Sequence, residues 1–423
     1  MLYRVLRFSA FFLSVLSVGA TAFAQAPNPP VRISLDQAIH LALAHNHALL
    51  AARSTIAQSK DAEITANLRP NPVFGADVVG LPQEPADFTA NNIDQTEFDI
   101  GATYLFERGK KRQHRLRAAR DATAVTMSTV ADNARTLTYS VATAFINVLL
   151  AESSLNFANQ DLASFQRTIN ISEAQYKAGA ISEGDFLKIK LQLLQFQTDV
   201  TAAELAKEQS LVALRQLVGF ESVPENYDVS GSLVYQKMPY SLLDLEAMAV
   251  KDRPDLHAAE QAVTAARSQL ALARADAKVD VTGTLNETHI TGYNSTSMTV
   301  SIPIPIFNRN QGVIAQSRDA ITQAQQTAEE TSEQVMSDVQ SAFESLHTDA
   351  QTLKIYQSGY LDQAKQSVVI SQYAYKRGAA SLLDFLDAER SYRSIQLAYR
   401  QELAAYMLAL EQLREAVGIR NLP

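Results

Sequence analysis

Helical patterning dominates the order of apolar and polar positions along the chain. Residues 110–176 contain no proline and no internal glycine, so we predict one helix roughly 100 Å long at about 1.5 Å per residue. Its apolar residues keep the alternating spacing of four and three that is typical of a coiled-coil seam. The seam consists of Leu137, Val141, Ala144, Val148, Ala151, Leu155, Ala158, Leu162, Phe165 and Ile169. Residues 311–375 carry a shorter and looser version of this pattern.

Four shorter segments instead alternate apolar and polar residues and predict strands, at about 72–80, 96–105, 279–289 and 297–306. Phe98 and Ile100, for example, alternate with Glu97 and Asp99. Each segment has about the 9–11 residues with which a tilted strand crosses a bilayer. A soluble β-domain with one solvated face would alternate identically. Four strands close no barrel and a membrane permits no open edge, so a membrane role needs pooled strands, and three chains would supply twelve.

The chain is an internal duplication with an offset of about 200 residues. Each half has the order helix, strands, long helix, glycine turn and closing helix, and the matched residues keep this order. Near the turns, Tyr176, Gly179, Asp185, Phe186 and Leu187 recur as Tyr375, Gly378, Asp384, Phe385 and Leu386. At the ends, Leu214, Arg215, Val218 and Gly219 recur as Leu413, Arg414, Val417 and Gly418. The halves open with predicted helices at 34–68 and 242–277.

The first thirty residues predict export. Arg4 and Arg7 precede an apolar run that is too short to span a membrane, and cleavage sites follow at Ala24 and Ala26. We therefore divide the chain into a signal peptide (1–24), a leader (25–33), a first repeat (34–219), a linker (220–240), a second repeat (241–418) and a tail (419–423). We expect no transmembrane helix in the mature chain.

Composition and charge exclude several function classes. The chain has no cysteine and therefore no disulfides. Its net charge of −8 becomes −10 when the signal peptide takes away Arg4 and Arg7, which argues against nucleic acid as a partner. No nucleophile elbow, phosphate loop or dense carboxylate–histidine cluster is present, so we predict neither an enzyme nor a cofactor.

Taken together, these motifs resemble the outer-membrane efflux protein family, the TolC-like outer membrane factors. The specific marks are the duplicated glycine turns, the Asp-Phe-Leu that follows each, and the matched endings at Gly219 and Gly418. Segments 68–72, 107–112 and 303–312 are similar to the heavy-metal, cobalt–zinc–cadmium branch. The resemblance implies a homotrimeric channel-tunnel, mainly α with a small β part, in which a twelve-stranded barrel continues into long coiled-coil helices.

The resemblance also implies the partners and the place of the protein. A periplasmic adaptor and an inner-membrane pump, of RND type, would complete a Gram-negative exporter whose duct crosses the outer membrane and extends through the periplasm. Heavy-metal cations are the favoured cargo, and a multidrug, small-molecule or type I secretion duct is the alternative. A coiled-coil structural or adhesive surface protein would also explain export and long helices, but not matched strands in both halves.

Family positions assign two sets of residues. The turns at Gly179, Ala180, Gly378 and Ala379 would form the tips that contact the adaptor, although they are also plain hairpin turns. The gate would comprise Asp185, Tyr375, Asp384 and Asp387, with a hydrogen bond between Asp185 and Tyr375. An arginine that normally adds a link is replaced by Ala380. Ser182 with Asp185, and Ser381 with Asp384, equally fit helix N-terminal caps.

Two further features favour bland interpretations. His40, His45 and His47 are awkwardly spaced for a metal site, because His45 points away from the helical face that the other two share. We therefore predict no metal ligands there. The basic stretch 108–120 lies at a strand–helix junction, where proximity to inner-leaflet headgroups is more plausible than nucleic acid in an acidic exported protein.

Overall fold

The computed structural model describes residues 30–81, 96–290 and 292–422, and this part of the chain is mostly helical. The predicted signal peptide, most of the leader and the loop 82–95 lie outside the described residues. The helices are α1 (Leu35–His45), α2 (His47–Ala66), α3 (Lys111–Lys177), α4 (Glu183–Val218), α5 (Leu242–Asp252), α6 (Pro254–Asp276), α7 (Gln311–Ile355), α8 (Leu361–Lys376) and α9 (Leu382–Val417). The strands are β1 (Arg32–Ile33), β2 (Val73–Val79), β3 (Glu97–Phe106), β4 (Asp228–Val229), β5 (Val281–Ile290) and β6 (Tyr293–Ser301).

Each half opens with two helices where one was predicted. At Asn46 the backbone leaves the helical region, and the side chain accepts a hydrogen bond from Leu49 N at 3.1 Å and donates one to Leu217 O at 3.0 Å. In the second half Pro254 forces Arg253 into an extended conformation. Both breaks are built by polar or proline residues that an apolar pattern does not weigh.

The long helices of the two halves differ. Helix α3 is continuous over 67 residues. Its counterpart is not one helix over 311–375, because a π-type turn at Tyr356–Tyr360 separates α7 from α8. Gly359 has a φ of 112° there, a conformation that other residues rarely adopt. The second half therefore contains a break that glycine permits.

Helix α3 also bears on the expectation that the mature chain has no transmembrane helix. It contains an 18-residue window with a mean hydropathy of 1.4, which is long and apolar enough to cross a membrane. However, 44% of that window is buried inside the chain. Because Val141, Phe145 and Val148 pack in a core with α1 and α4, the apolar character of α3 is explained by packing within the protein.

The four long strands form one antiparallel sheet in the order β2-β3-β5-β6, so each half contributes one hairpin. Gly101 of β3 lies opposite Asn286 of β5, where the two halves meet. Strand β6 begins at Tyr293 and ends at Ser301, so it occupies an earlier stretch than the predicted 297–306. Pro303 and Pro305 follow, and each lacks the N–H group that a further ladder bond requires.

The two faces of this sheet differ in polarity. The register places Phe74, Phe98, Ile100, Leu285, Met298 and Val300 on one face, and all of them are exposed, Met298 by 78%. The opposite face carries Asp77, Asp99, Thr103, Thr284, Asn286 and Thr288. On it, Thr103 and Thr284 share a hydrogen bond of 3.0 Å, and Thr288 donates to Asp99. The exposed apolar face has no covering layer in the described chain.

The helical body has a core in each half and a third at the turns. One cluster joins α1, α3 and α4 with β4, and a matching one joins α5, α7 and α9. Strands β1 and β4 form a short parallel pair that packs in the first of these clusters. The third cluster lies near the glycine turns and combines residues of both halves. This cluster is one of the contacts between the helices of the two halves.

Candidate gate at the helical turns

The two glycine turns are built alike from the same short sequence. Gly179 and Gly378 both have a φ of 70°, and each turn closes with the two backbone bonds of a Schellman motif. Ala180 N donates to Gln175 O at 2.8 Å, and Ala379 N donates to Ala374 O at 2.9 Å. A Cβ added at either glycine would meet no atom within 4 Å. The glycines are therefore required by the backbone conformation and leave an exposed, bare tip on each hairpin.

The third core places both tips at one end of the molecule. Phe165 and Ile169 of α3 and Ile189 and Phe196 of α4 pack with Leu382 and Phe385 of α9. Tyr375, at the end of α8, joins this cluster and stacks on Phe385 with 5.9 Å between ring centroids. Residues from both hairpins thus meet just inside the turns.

The predicted hydrogen bond between Asp185 and Tyr375 is not formed in this structure. Asp185 instead accepts a bond of 2.8 Å from the Ser182 hydroxyl and lies 3.4 Å from Lys188 Nζ. The Tyr375 hydroxyl is buried beside the hydroxyl of Ser172 and forms no hydrogen bond with Asp185. Burial raises the pKa of Tyr375, and the nearby charge of Asp185 acts in the same direction. The two side chains are close enough to interact electrostatically without a direct hydrogen bond.

The two other predicted gate residues lie on the first turn and a half of α9. Asp384 forms a full capping box with Ser381, and these hydrogen bonds lower the pKa of its carboxyl group. Asp387 lies 3.7 Å from Arg390, and both side chains are exposed. Arg377, the cation nearest the missing arginine position, lies over the Tyr373 ring at 5.4 Å. Capping therefore accounts for Asp384 within the chain, while Asp387 presents its charge to solvent.

Sequence analysis missed a buried ionic cluster further along the same helices. Arg393 of α9 lies 2.7 Å from Asp161 of α3, pairs with Asp199 of α4, and covers the Phe196 ring at 4.3 Å. Asp161 is only 5% exposed. The spacing of Glu389 and Arg393 marked one helical face of α9, but nothing local pointed to Asp161, which is more than 200 residues away.

Glu389 completes this cluster as a second buried carboxyl group. It is 7% exposed and lies close enough to Asp161 for the two carboxyl groups to interact. Burial raises the pKa of Glu389 to about 7, and the negative charge of Asp161 adds to the effect. Burial likewise raises the pKa of Asp161, against the opposing charge of Arg393. One arginine thus faces three carboxyl groups at the junction of the two halves.

No group of three or more histidine, aspartate or glutamate side chains within the described ranges is arranged to hold a metal ion. His40, His45 and His47, which sequence analysis assigned to a solvated face, are not brought together with carboxylates.

Comparison with known proteins adds a family to this geometry. The sequence profile of the family described as "Outer membrane efflux protein" matches residues 38–220 and 246–419. Among curated proteins, the pyoverdine export outer membrane protein OpmQ of Pseudomonas putida is 23% identical, over 91% of this chain and 84% of its own. The cobalt-zinc-cadmium resistance protein CzcC of Cupriavidus metallidurans is 24% identical, over 87% of this chain and 85% of its own.

Solved structures share the fold. A crystal structure of CusC superposes with a TM-score of 0.77 at 20% identity, and the match covers 94% of this chain and 96% of that one. The open state of the Neisseria gonorrhoeae MtrE outer membrane channel gives a TM-score of 0.75 at 20% identity, covering 91% of this chain and 89% of that one.

Proposed function

Because the chain belongs to the outer membrane efflux protein family, we propose that it forms a homotrimeric channel-tunnel that exports substrate across the outer membrane. The observation that carries the proposal is the sheet β2-β3-β5-β6, whose apolar face is uncovered and whose edge strands β2 and β6 lack outer partners among the described residues. A bilayer accepts an apolar face but no open edge. Three chains that pair β6 to β2 would close twelve strands.

Partners follow from the two ends of this assembly. The helical body would continue from the barrel as a duct, and its bare turns at Gly179, Ala180, Gly378 and Ala379 would contact a periplasmic adaptor. An inner-membrane pump of RND type would supply the energy. We propose no catalytic role, because a channel of an export family only has to open and close a path for its substrate.

The gate would lie where the two hairpins meet. In the closed trimer the Tyr375 hydroxyl would donate a hydrogen bond to Asp185, and Asp384 and Asp387 would bring six carboxylates around the pore. The burial of the Tyr375 hydroxyl and the nearby charge of Asp185 support this proposal, because a carboxylate that came within hydrogen-bonding distance would accept a charge-assisted bond from it.

Heavy-metal cations are the cargo that we propose. The polar face of the sheet would line the barrel, and there Asp77 and Asp99 lie directly opposite each other. No lysine or arginine occurs in 70–107 or 279–308, so the lining would favour cations. The alternative is a small organic molecule, because the relative OpmQ, which matches most of this chain, exports pyoverdine.

Assembly and cargo need separate tests. Outer-membrane fractionation and a heat-modifiable trimer band on a gel would support the channel, and a soluble monomer would contradict it. For cargo, a deletion strain should become sensitive to cobalt, zinc or cadmium while its siderophore secretion is unchanged. The reverse pattern would favour the small-molecule alternative.

The gate is tested by single-channel recording in planar bilayers. We expect Asp185→Ala and Tyr375→Phe to raise conductance, because each removes one side of the proposed latch. Tyr373→Phe is the matched control, since Tyr373 lies on the same helix and is exposed. Unchanged conductance in both latch variants would remove these residues from the gate.

A further inference from the structure

The cations around the membrane sheet are distributed on one side only. Because neighbouring strands are antiparallel, β2 and β5 begin, and β3 and β6 end, at the same end of the sheet, next to the helices. Arg69 and Arg108 are the cations that flank the first hairpin, and Lys278 and Arg309 flank the second. All four therefore lie at the helical end, and the two hairpins and their connecting loops contain no lysine or arginine.

These side chains are exposed and their charges are unpaired. Arg69, Lys110 and Lys278 have no partner in the part of the chain that the structure describes, and the guanidinium of Arg108 has none either. The Arg309 side chain makes one bond, from Nε to Pro305 O at 3.2 Å. We call Arg69, Arg108, Lys110, Lys278 and Arg309 the cationic girdle.

Cations one step closer to the core are treated differently. Lys111 lies 2.6 Å from Asp280, and Arg115 pairs with Glu107. The chain thus supplies its own carboxylates to the inner cations and leaves the girdle without counterions. A row of unpaired cations calls for an anionic partner from outside the chain.

Apolar side chains adjoin the girdle on the side of the sheet. Phe106, the last residue of β3, lies two residues before Arg108, and Phe307, which follows β6 and is 89% exposed, lies two residues before Arg309. An exposed apolar group followed by a free cation matches a membrane interface, where the first enters the acyl region and the second reaches the phosphates.

We propose that the cationic girdle binds the phosphodiester headgroups of anionic phospholipids in the inner leaflet of the outer membrane. The inference rests on the proposed function, since it needs the sheet to span the bilayer with the helices in the periplasm. Phospholipid is favoured over the phosphorylated glycolipid of the outer leaflet, because the opposite end of the sheet has no lysine or arginine with which to bind phosphates. The girdle would fix the height of the duct in the membrane.

Native mass spectrometry of the purified protein, loaded with phosphatidylglycerol or phosphatidylcholine, tests this proposal. The variant replaces all five girdle cations: Arg69→Gln, Arg108→Gln, Lys110→Gln, Lys278→Gln and Arg309→Gln. Its control neutralises five exposed cations of the helical body: Arg167→Gln, Lys237→Gln, Lys354→Gln, Lys365→Gln and Lys376→Gln. Because each cation near an anionic surface strengthens the binding of its lipids, we expect at least about tenfold weaker retention of phosphatidylglycerol in the girdle variant and none of this loss in the control.

Three results would overturn the inference: no preference of the wild type for phosphatidylglycerol, equal loss in the control, or stronger binding of the outer-leaflet glycolipid. If the girdle variant fails to assemble, salt serves instead, because high ionic strength should release phosphatidylglycerol from the wild type and leave phosphatidylcholine unaffected. A trimer that conducts ions but shows no lipid preference would refute the girdle alone. A soluble monomer would refute the proposed function itself.

Discussion

The two halves of the chain are alike at their turns and closing helices and different along the long helices that precede the turns. Both turns have the same φ at glycine and the same pair of closing bonds. Both closing helices begin at a serine cap, Ser182 and Ser381. Between these points, α3 is continuous, whereas its counterpart is interrupted at Gly359.

The packing of these long helices differs as well. Helix α3 buries many side chains along its length, whereas α8 has no fully buried residue. Closing helix α9 carries Glu389 and Arg393 where α4, at the offset of 199, carries Lys190 and Leu194. The glycine turns depend on local sequence and are the same in both halves, while the contacts between helices are specific to each half. Helix α3 of the first half is therefore firmly packed, whereas α8 of the second half is loosely packed.

The largest expected effect comes from making α9 resemble α4 at one position. Arg393→Leu, which introduces the residue of the first half, leaves Asp161 and Asp199 without their cation. Loss of one partner from a buried ionic cluster costs about 3–5 kcal/mol, so we expect a large fall in the melting temperature measured by circular dichroism in detergent. Arg390→Leu is the control, because its pair with Asp387 is exposed and worth at most about 1 kcal/mol. Equal melting temperatures would contradict the assigned role of Arg393.

Glu389 gives the next effect and a pH dependence. Because its pKa is raised from 4.5 to about 7, the folded state favours the protonated form, and stability falls as pH rises through this window and then levels. At about 1.4 kcal/mol per pH unit of this window, Glu389→Gln should be more stable than wild type by about 3 kcal/mol above pH 7. Near pH 4.5 the two proteins should be alike. If the melting temperatures of the variant and the wild type differ by the same amount from about pH 4 to about pH 8, Glu389 is not the group that causes the pH dependence of stability.

What the sequence predicts well is set by local chemistry. The alternation of Phe98 and Ile100 with acidic residues predicted a two-faced strand, and the register places them on the apolar face. The turns at Gly179 and Gly378 follow from the same local reasoning, and the family comparison confirmed the predicted resemblance.

What it misses depends on distant contacts or on residues outside the apolar pattern. The break at Asn46 uses a bond to Leu217 that only the fold brings near. Asp161 looked like one more polar residue of a coiled coil, and its partners lie on two other helices. Gly359 was readable in principle, since it interrupts the long helix, but a single glycine in a helical pattern is usually tolerated.

The smallest expected effect comes from a substitution at Gly359, which tests whether this glycine maintains the break between α7 and α8. Gly359→Ala places a side chain on a residue with a φ of 112°, so we expect a loss of about 1–2 kcal/mol. Gly312→Ala is the matched control, because Gly312 lies within α7 and a Cβ there would meet no atom within 4 Å. Because Gly312 is the second residue of that helix, the substitution should change the free energy of unfolding by less than about 0.5 kcal/mol. If Gly359→Ala instead stabilises the protein, and hydrogen exchange at 356–370 slows to that of α3, the glycine break is not required, and the helix of the second half can be as continuous as α3.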